Sequence, residues 1–162
     1  MKLENLQKLM LDQLKDTYDA EHQITKALPK MQEAASSPEL QRAFQTHLNQ
    51  TQSQISRLEQ VFEMLGQKPS RKACKGMQGL IEEGNEMMKE NADSDVRDAG
   101  LIASAQKVEH YEISAYGTLR TYANLLGHHQ AADLLQQTLD EEAQTDEMLT
   151  QIASKVNVQA AR

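Results

Sequence analysis

Apolar residues recur along this chain at intervals of three and four, the spacing that lines one face of an α-helix. Over about residues 3–35 the inward stripe reads Leu3, Leu6, Met10, Leu14, Thr17, Glu21, Ile24, Leu28 and Met31. Pro29 falls within this run and is expected to kink the helix late or to end its regular part. Ser36-Ser37-Pro38-Glu39 is a start signal, a hydroxyl cap followed by Pro and Glu in the first turn. From there to Leu65 a second run places Leu40, Phe44, His47, Thr51, Gln54, Leu58, Val61 and Leu65 inward, and Gly66 closes it. A third, about residues 94–126, carries Leu101, Ala105, Val108, Glu109, Glu112, Tyr116, Leu119 and Tyr122, and Gly127 breaks it. The last, about residues 128–153, sets Leu135, Thr138, Leu139, Glu142, Asp146, Leu149 and Ile152 on one side.

Residues 67–95 differ in character, holding Gly, Pro, Lys and Ser around a short apolar helix with Met77, Leu80, Ile81, Met87 and Met88. Short links make the first two runs one antiparallel hairpin and the last two another. The link between the hairpins, roughly 30 residues, is long enough to run the length of a bundle. The pattern therefore predicts an all-α fold, an antiparallel four-helix bundle with one long crossover carrying a short extra helix. That is the connectivity of ferritin-like bundles. Residues 1–155 read as a single domain, and 156–162, which lack a pattern, as a frayed tail.

Composition narrows the function. A net charge of −7 and the lack of a basic patch argue against nucleic acid and against a membrane surface. The N-terminal stretch is amphipathic and punctuated by charge, unlike a signal peptide, and no segment approaches the roughly 20 apolar residues of a membrane span. The single cysteine, Cys74, cannot form an internal disulfide, which fits a reducing cytoplasm. It lies in the basic stretch RKACK without a His or Asp beside it, and an idle thiol is the expectation.

The acids on the stripes change the picture most. Glu21, Glu109, Glu112 and Glu142 occupy positions otherwise given to core residues, and each lies near mid-helix. Mid-helix positions of antiparallel helices meet at a common depth. A carboxylate there costs several kcal/mol unless it is protonated, paired or bound to a cation. The stripes offer no Lys or Arg. A single Glu in such a place is ordinarily a surface residue; the set converges on a metal ion, with protonated acids in a metal-free core as the alternative. Oxygen-rich sites of this kind suit Fe, Mn, Mg or Ca. Glu142 and Asp146 share a face, and His47 lies inward, where core packing and ligation both remain open. Tyr18 and Tyr116 stand one turn from Glu21 and Glu112 and could donate hydrogen bonds to them. His110 and His128-His129 read as surface or local structure.

The segments DTYDAEHQITKAL (Asp16–Leu28), GLIEEGNEMM (Gly79–Met88), AQKVEHYEISAYGTLRTYANLLG (Ala105–Gly127) and TLDEEAQTDEMLTQIA (Thr138–Ala153) closely resemble the bacterial YciE/YciF stress-response family of the ferritin-like superfamily. The resemblance runs from about residue 3 to 153. It implies a dimeric four-helix bundle with a dinuclear metal site, in a stress-response setting without a settled activity. Carried over by position, the family's pattern maps Glu21, Glu109, Glu112 and Glu142 onto the metal site; as a metal-binding protein the chain would use these as ligands, with His47 and Gln50 assisting. The second helix departs: relatives show HLxET, and here the segment is HLNQT, so a neutral Gln50 stands where a carboxylate is usual. The Glu-x-x-His pairs of better known di-iron bundles are missing as well.

Two functions follow. One is a metal-binding ferritin-like protein holding iron, as one ion or a di-iron pair, or another divalent metal such as Mn or Mg. If iron, it reacts with dioxygen or peroxide and needs a separate electron donor, since one cysteine cannot build a Cys-rich iron module. The alternative is a non-enzymatic dimeric scaffold or interaction protein with a degenerate metal site, which Gln50 favours.

Overall fold

The computed structural model describes residues 2–162 and is all-helical, with no strand among the described residues. The helices are α1 (Leu6–Ala34), α2 (Pro38–Met64), α3 (Lys75–Lys89), α4 (Ser94–Leu125) and α5 (His129–Ala160). Local chemistry sets their ends. Asn5 caps α1 by accepting from the Lys8 amide at 2.9 Å. The expected start of α2 is present, with Ser37 as cap, Pro38 in the first turn and Glu39 behind it. Gly66 and Gly127, which follow α2 and α4, take φ of 67° and 80°, a left-handed conformation that a Cβ would oppose.

The long helices pack in a ring, α1 against α2 and α4, and α5 against α4 and α2. The apolar core falls into two clusters. One joins the C-terminal half of α1 (Ile24, Leu28) to the N-terminal halves of α2 and α4 (Phe44, Leu101) and the C-terminal half of α5 (Ile152). The other joins Met10 and Leu14 of α1 to Phe62, Leu119 and Leu135. Ring neighbours therefore run antiparallel. Residues 65–93 carry the chain back along the ring, and α3 within them packs on α1 and α4.

Two buried aspartates tie this crossover and the first hairpin in place. Asp98 of α4, 1% exposed, accepts from the Ser36 and Ser37 amides at 2.8 and 2.7 Å, and so fixes the α1–α2 turn. Asp19 of α1 accepts from the Cys74 amide at 2.8 Å and from Arg71 at 2.8 Å, and so anchors the start of α3. Burial pushes the Asp19 carboxyl up, but these bonds outweigh it and hold it below the ordinary value.

Several expectations need correction. Residues 156–160 are helical rather than frayed, because Val156 continues the Leu149–Ile152 stripe and is only 4% exposed. Leu3 precedes α1 and is exposed. Pro29 does not end α1; it lies exposed, where water can satisfy the carbonyl its ring leaves free.

Candidate metal centre

A polar layer separates the two apolar clusters. Each long helix supplies it from its middle: Thr17 and Glu21 from α1, His47, Thr51 and Gln54 from α2, Glu109 and Glu112 from α4, Thr138, Glu142 and Thr145 from α5, all buried. The helical period explains the alignment. On α4 and α5 the acids replace one turn of the apolar stripe, between Ala105 and Tyr116 and between Leu135 and Leu149.

Within this layer His47, Glu109, Glu112 and Glu142 each present a donor atom, and these atoms lie within 4.8 Å of one another. His47 Nε2 stands 3.1 Å from Glu109 Oε1 and 4.0 Å from Glu112 Oε2, close enough for an ion pair but not aligned as a hydrogen bond. Both oxygens of Glu112 and of Glu142, Oε2 of Glu109 and both ring nitrogens of His47 are buried without a hydrogen-bond partner. Among the described residues no Lys or Arg pairs with any of the four. Arg57 is taken by Glu141 at 2.7 Å, and Lys107 by Glu83 at 3.2 Å.

Glu21 adjoins the group without being part of it. Its Oε1 accepts a short hydrogen bond from the Tyr116 hydroxyl, while Oε2 has no partner. Gln50 borders the layer at Thr145. It is half-buried, and its Oε1 accepts from the Thr145 hydroxyl at 3.3 Å. Gln54, which the stripe places inward, is fully buried in the same layer. Its amide donates to Glu141 at 3.0 Å, and its Oε1 is unpartnered. Asp146 does not join Glu142; it is half-buried and lies 3.1 Å from the exposed His110. Tyr18 donates to Glu59 at 2.9 Å, not to Glu21.

Electrostatics follow from burial. Desolvation, then the charge of Glu142, pushes Glu109 and Glu112 well above the ordinary carboxyl range and Glu21 up to about 8. Glu142 is pushed up by burial too, but the protonated Glu109 and Glu112 carboxyls beside it outweigh that and hold it low. The metal-free layer thus shares one anion among acids that otherwise keep their protons. Burial also lowers the pKa of His47, so its imidazole is neutral and carries a free lone pair.

Cation–ligand bonds of about 2.0–2.2 Å place donors about 3–4.4 Å apart around one ion; these atoms lie within 4.8 Å of one another, slightly wider. Orphaned carboxylate oxygens with a neutral imidazole are a donor set that a divalent cation satisfies. The group can hold a metal ion on these grounds.

The fold and the site define an all-helical protein with a buried His/Glu cluster between two apolar half-cores. The chain belongs to the family described as Domain of unknown function (DUF892), which matches residues 5–162. It is 48% identical to Protein YciF of Escherichia coli K12 over 162 residues, 99% of this chain and 98% of that protein. The crystal structure of the E. coli stress protein YciF superposes with a TM-score of 0.92 at 47% identity, over 94% of this chain and 97% of that one. YcfI of Rhodopseudomonas palustris, provisionally described as a structural protein, gives 0.90 at 47% identity over 92% and 95%. A protein of Xanthomonas campestris pv. campestris gives 0.80 at 22% identity over 97% of both chains, a likeness of fold alone.

Proposed function

We propose that this chain is a ferritin-like stress-response protein whose four-helix bundle holds a divalent transition metal on His47, Glu109, Glu112 and Glu142, with Glu21 as the adjoining carboxylate. One observation carries the reading: four buried donor atoms within 4.8 Å of one another, left without cationic partners. Three carboxylates and one imidazole suit iron or manganese better than magnesium, which prefers oxygen and water. The stress setting comes from the resemblance to the E. coli stress protein.

The chain's own residues do the following. His47, neutral through burial, offers a lone pair. Glu109 and Glu112 surrender protons on loading, so uptake is favoured by rising pH. Tyr116 orients Glu21 by donating to it. The apolar clusters on either side keep bulk water out. Bound iron would supply electron transfer to dioxygen or peroxide. With Cys74 as the chain's single cysteine, turnover takes electrons from a separate donor. A cytoplasmic homodimer completes the proposal; no helix among the described residues is long and apolar enough to cross a membrane.

Titration with Fe(II) under anaerobic conditions, and with Mn(II) and Co(II), tests it. Saturable uptake is expected, weakened more than about tenfold in Glu112→Gln and unchanged in Glu83→Gln on the exposed face of α3. Absence of saturable binding below about millimolar cation would remove the reading. The alternative, a dimeric scaffold with a degenerate site, is favoured by the neutral Gln50, which is engaged by Thr145. It predicts that the double variant Glu109→Gln/Glu142→Gln melts higher than wild type whether or not metal is present.

A further inference from the structure

The two ends of the Gln54 amide meet different surroundings. Its Nε2 donates to Glu141 Oε2 at 3.0 Å. Its Oε1 is buried within the polar layer and has no hydrogen-bond partner. The carboxylate decides which end of the amide faces it, because ionised oxygens only accept and an amide nitrogen only donates. A carbonyl oxygen with two lone pairs is thereby turned from Glu141 and left without the water or donor it would have at the surface. The side chain also lies close enough to Glu142 to help hold that carboxyl low.

Glu141 is itself held. Arg57 grips it with both arms of the guanidinium, Nη2 to Oε1 at 2.7 Å and Nη1 to Oε2 at 2.8 Å, and Nη1 also donates to the Thr138 hydroxyl at 3.1 Å. A two-pronged contact fixes the plane of the carboxylate as well as its position. The run Arg57–Glu141–Gln54 thus joins α2 to α5 and ends on an unsatisfied oxygen. A purely structural tie would end on a partner, since a buried acceptor left unpaired costs stability. The residue type fits the position too. A Glu at 54 would repel Glu141, and a Leu or Met would deprive Glu141 of a donor; Gln donates on one side and accepts on the other.

We propose that Gln54 is a further ligand of the metal centre, a neutral carbonyl oxygen oriented by the Arg57–Glu141 pair, and that it shifts the centre's preference from Zn(II) toward Mn(II) or Fe(II). The inference rests on the reading of the cluster as a metal centre and deepens it by naming what sets the choice of cation. Zn(II) is satisfied by four donors, commonly nitrogen and sulfur, whereas Mn(II) takes more donors and prefers oxygen. Gln54 adds a fifth protein donor to His47, Glu109, Glu112 and Glu142 without adding negative charge. Arg57 and Glu141 are positioning residues, acting on the ion only through the Gln54 amide.

Mn(II) and Zn(II) are titrated separately into the chelator-stripped full chain, and crystals of the Mn(II)-loaded protein give an anomalous map. Gln54 Oε1 is expected at a bonding distance of about 2.2 Å from the ion. Gln54→Met keeps the shape and drops the oxygen; it should lower Mn(II) affinity at least tenfold and Zn(II) affinity by less than about threefold. Glu141→Gln frees the Gln54 amide to turn over and should lower Mn(II) affinity about tenfold. The exchange Gln54→Glu/Glu141→Gln restores a donor facing an acceptor and supplies a carboxylate oxygen at 54, so it should bring Mn(II) affinity back to at least the wild-type value. That rescue decides the matter if Gln54→Met does not fold. Mn(II) bound with Gln54 outside its shell, an unchanged Mn(II)-to-Zn(II) preference in Gln54→Met, or no rescue by the exchange would overturn the ligand and leave the metal centre standing. No saturable Mn(II) binding in wild type would instead overturn the metal centre, and this inference with it.

Discussion

Stripping the protein of cations and raising the pH should loosen the fold, because the polar layer keeps protons that the unfolded chain gives up. Glu21 is held at about 8, by burial and then by the charge of Glu142, against 4.5 for an exposed carboxyl. Between those values the folded chain binds more protons than the unfolded one, so the stability Glu21 contributes is fully present below 4.5 and is lost as pH rises through 8. Each retained proton tilts unfolding free energy by about 1.4 kcal/mol per pH unit. For Glu21 alone the span from 4.5 to about 8 amounts to something on the order of 5 kcal/mol. That is comparable with the roughly 5–15 kcal/mol of a whole domain. Glu109 and Glu112 act in the same direction. Glu142, held low, acts in the opposite sense, but only below about 4.5. His47 and His22, lowered by burial, also oppose the trend, and only below their ordinary value of 6.5. The window from 6.5 to 8 therefore isolates the buried acids. Urea unfolding of chelator-treated protein, followed by the helical circular dichroism band, should show midpoints falling steadily across it. Glu21→Gln should flatten the slope by about one proton's worth, and saturating Mn(II) at pH 8 should restore the loss. A midpoint that is constant or rising from 6.5 to 8 would refute the reasoning, since it would mean that these carboxyls are already ionised and compensated.

Other tests follow from particular contacts. Asp98→Ala removes both acceptors for the Ser36 and Ser37 amides and should lower stability by about 3 kcal/mol, read as a fall in denaturant midpoint with unchanged metal affinity. Tyr116→Phe deletes the donor to Glu21; the protonated-carboxyl stretch in the infrared should then persist to higher pH than in wild type. Cys74 is buried, caps α3 through its sulfur and lies 3.0 Å from the Tyr111 hydroxyl; burial raises its pKa. Its reaction with a thiol reagent in the folded protein should run about a hundredfold slower than with free cysteine, and fast reaction would show that α3 opens.

How far the site was legible in the sequence can be argued on the second helix. Side chains advance by about 100° per residue, so positions seven apart differ by only about 20° and positions three apart by about 60°. From His47, that arithmetic favours Gln54 over Gln50. In the structure Gln54 is fully buried in the layer, and Gln50 is half-buried and meets the layer at Thr145. Family position points to Gln50, and periodicity places Gln54 deeper on the same helix. The same rule explains Asp146, four residues past Glu142 and turned about 40° off its line, which is enough to reach His110 instead. Periodicity resolves rotation about a helix axis; it says nothing of partners far along the chain. Hence Asp98 at the first turn, Asp19 at the start of α3 and Glu59 as the acceptor for Tyr18 lay beyond sequence reasoning, each pair being more than 40 residues apart.

The acids of the polar layer occupy the one depth where the two apolar clusters could have merged. Leu or Met at those positions would bury a continuous core at about 1.5–3 kcal/mol per side chain. The chain instead accepts three carboxyls with raised pKa and an imidazole with both nitrogens unpartnered. Such a layer weakens the metal-free fold increasingly as pH rises through 8, where the acids are pressed to ionise. Loading a cation reverses that penalty on the same groups. Stability and metal affinity are thereby linked, and at any given pH the protein should be most sensitive to chelation where its own acids are least able to stay neutral.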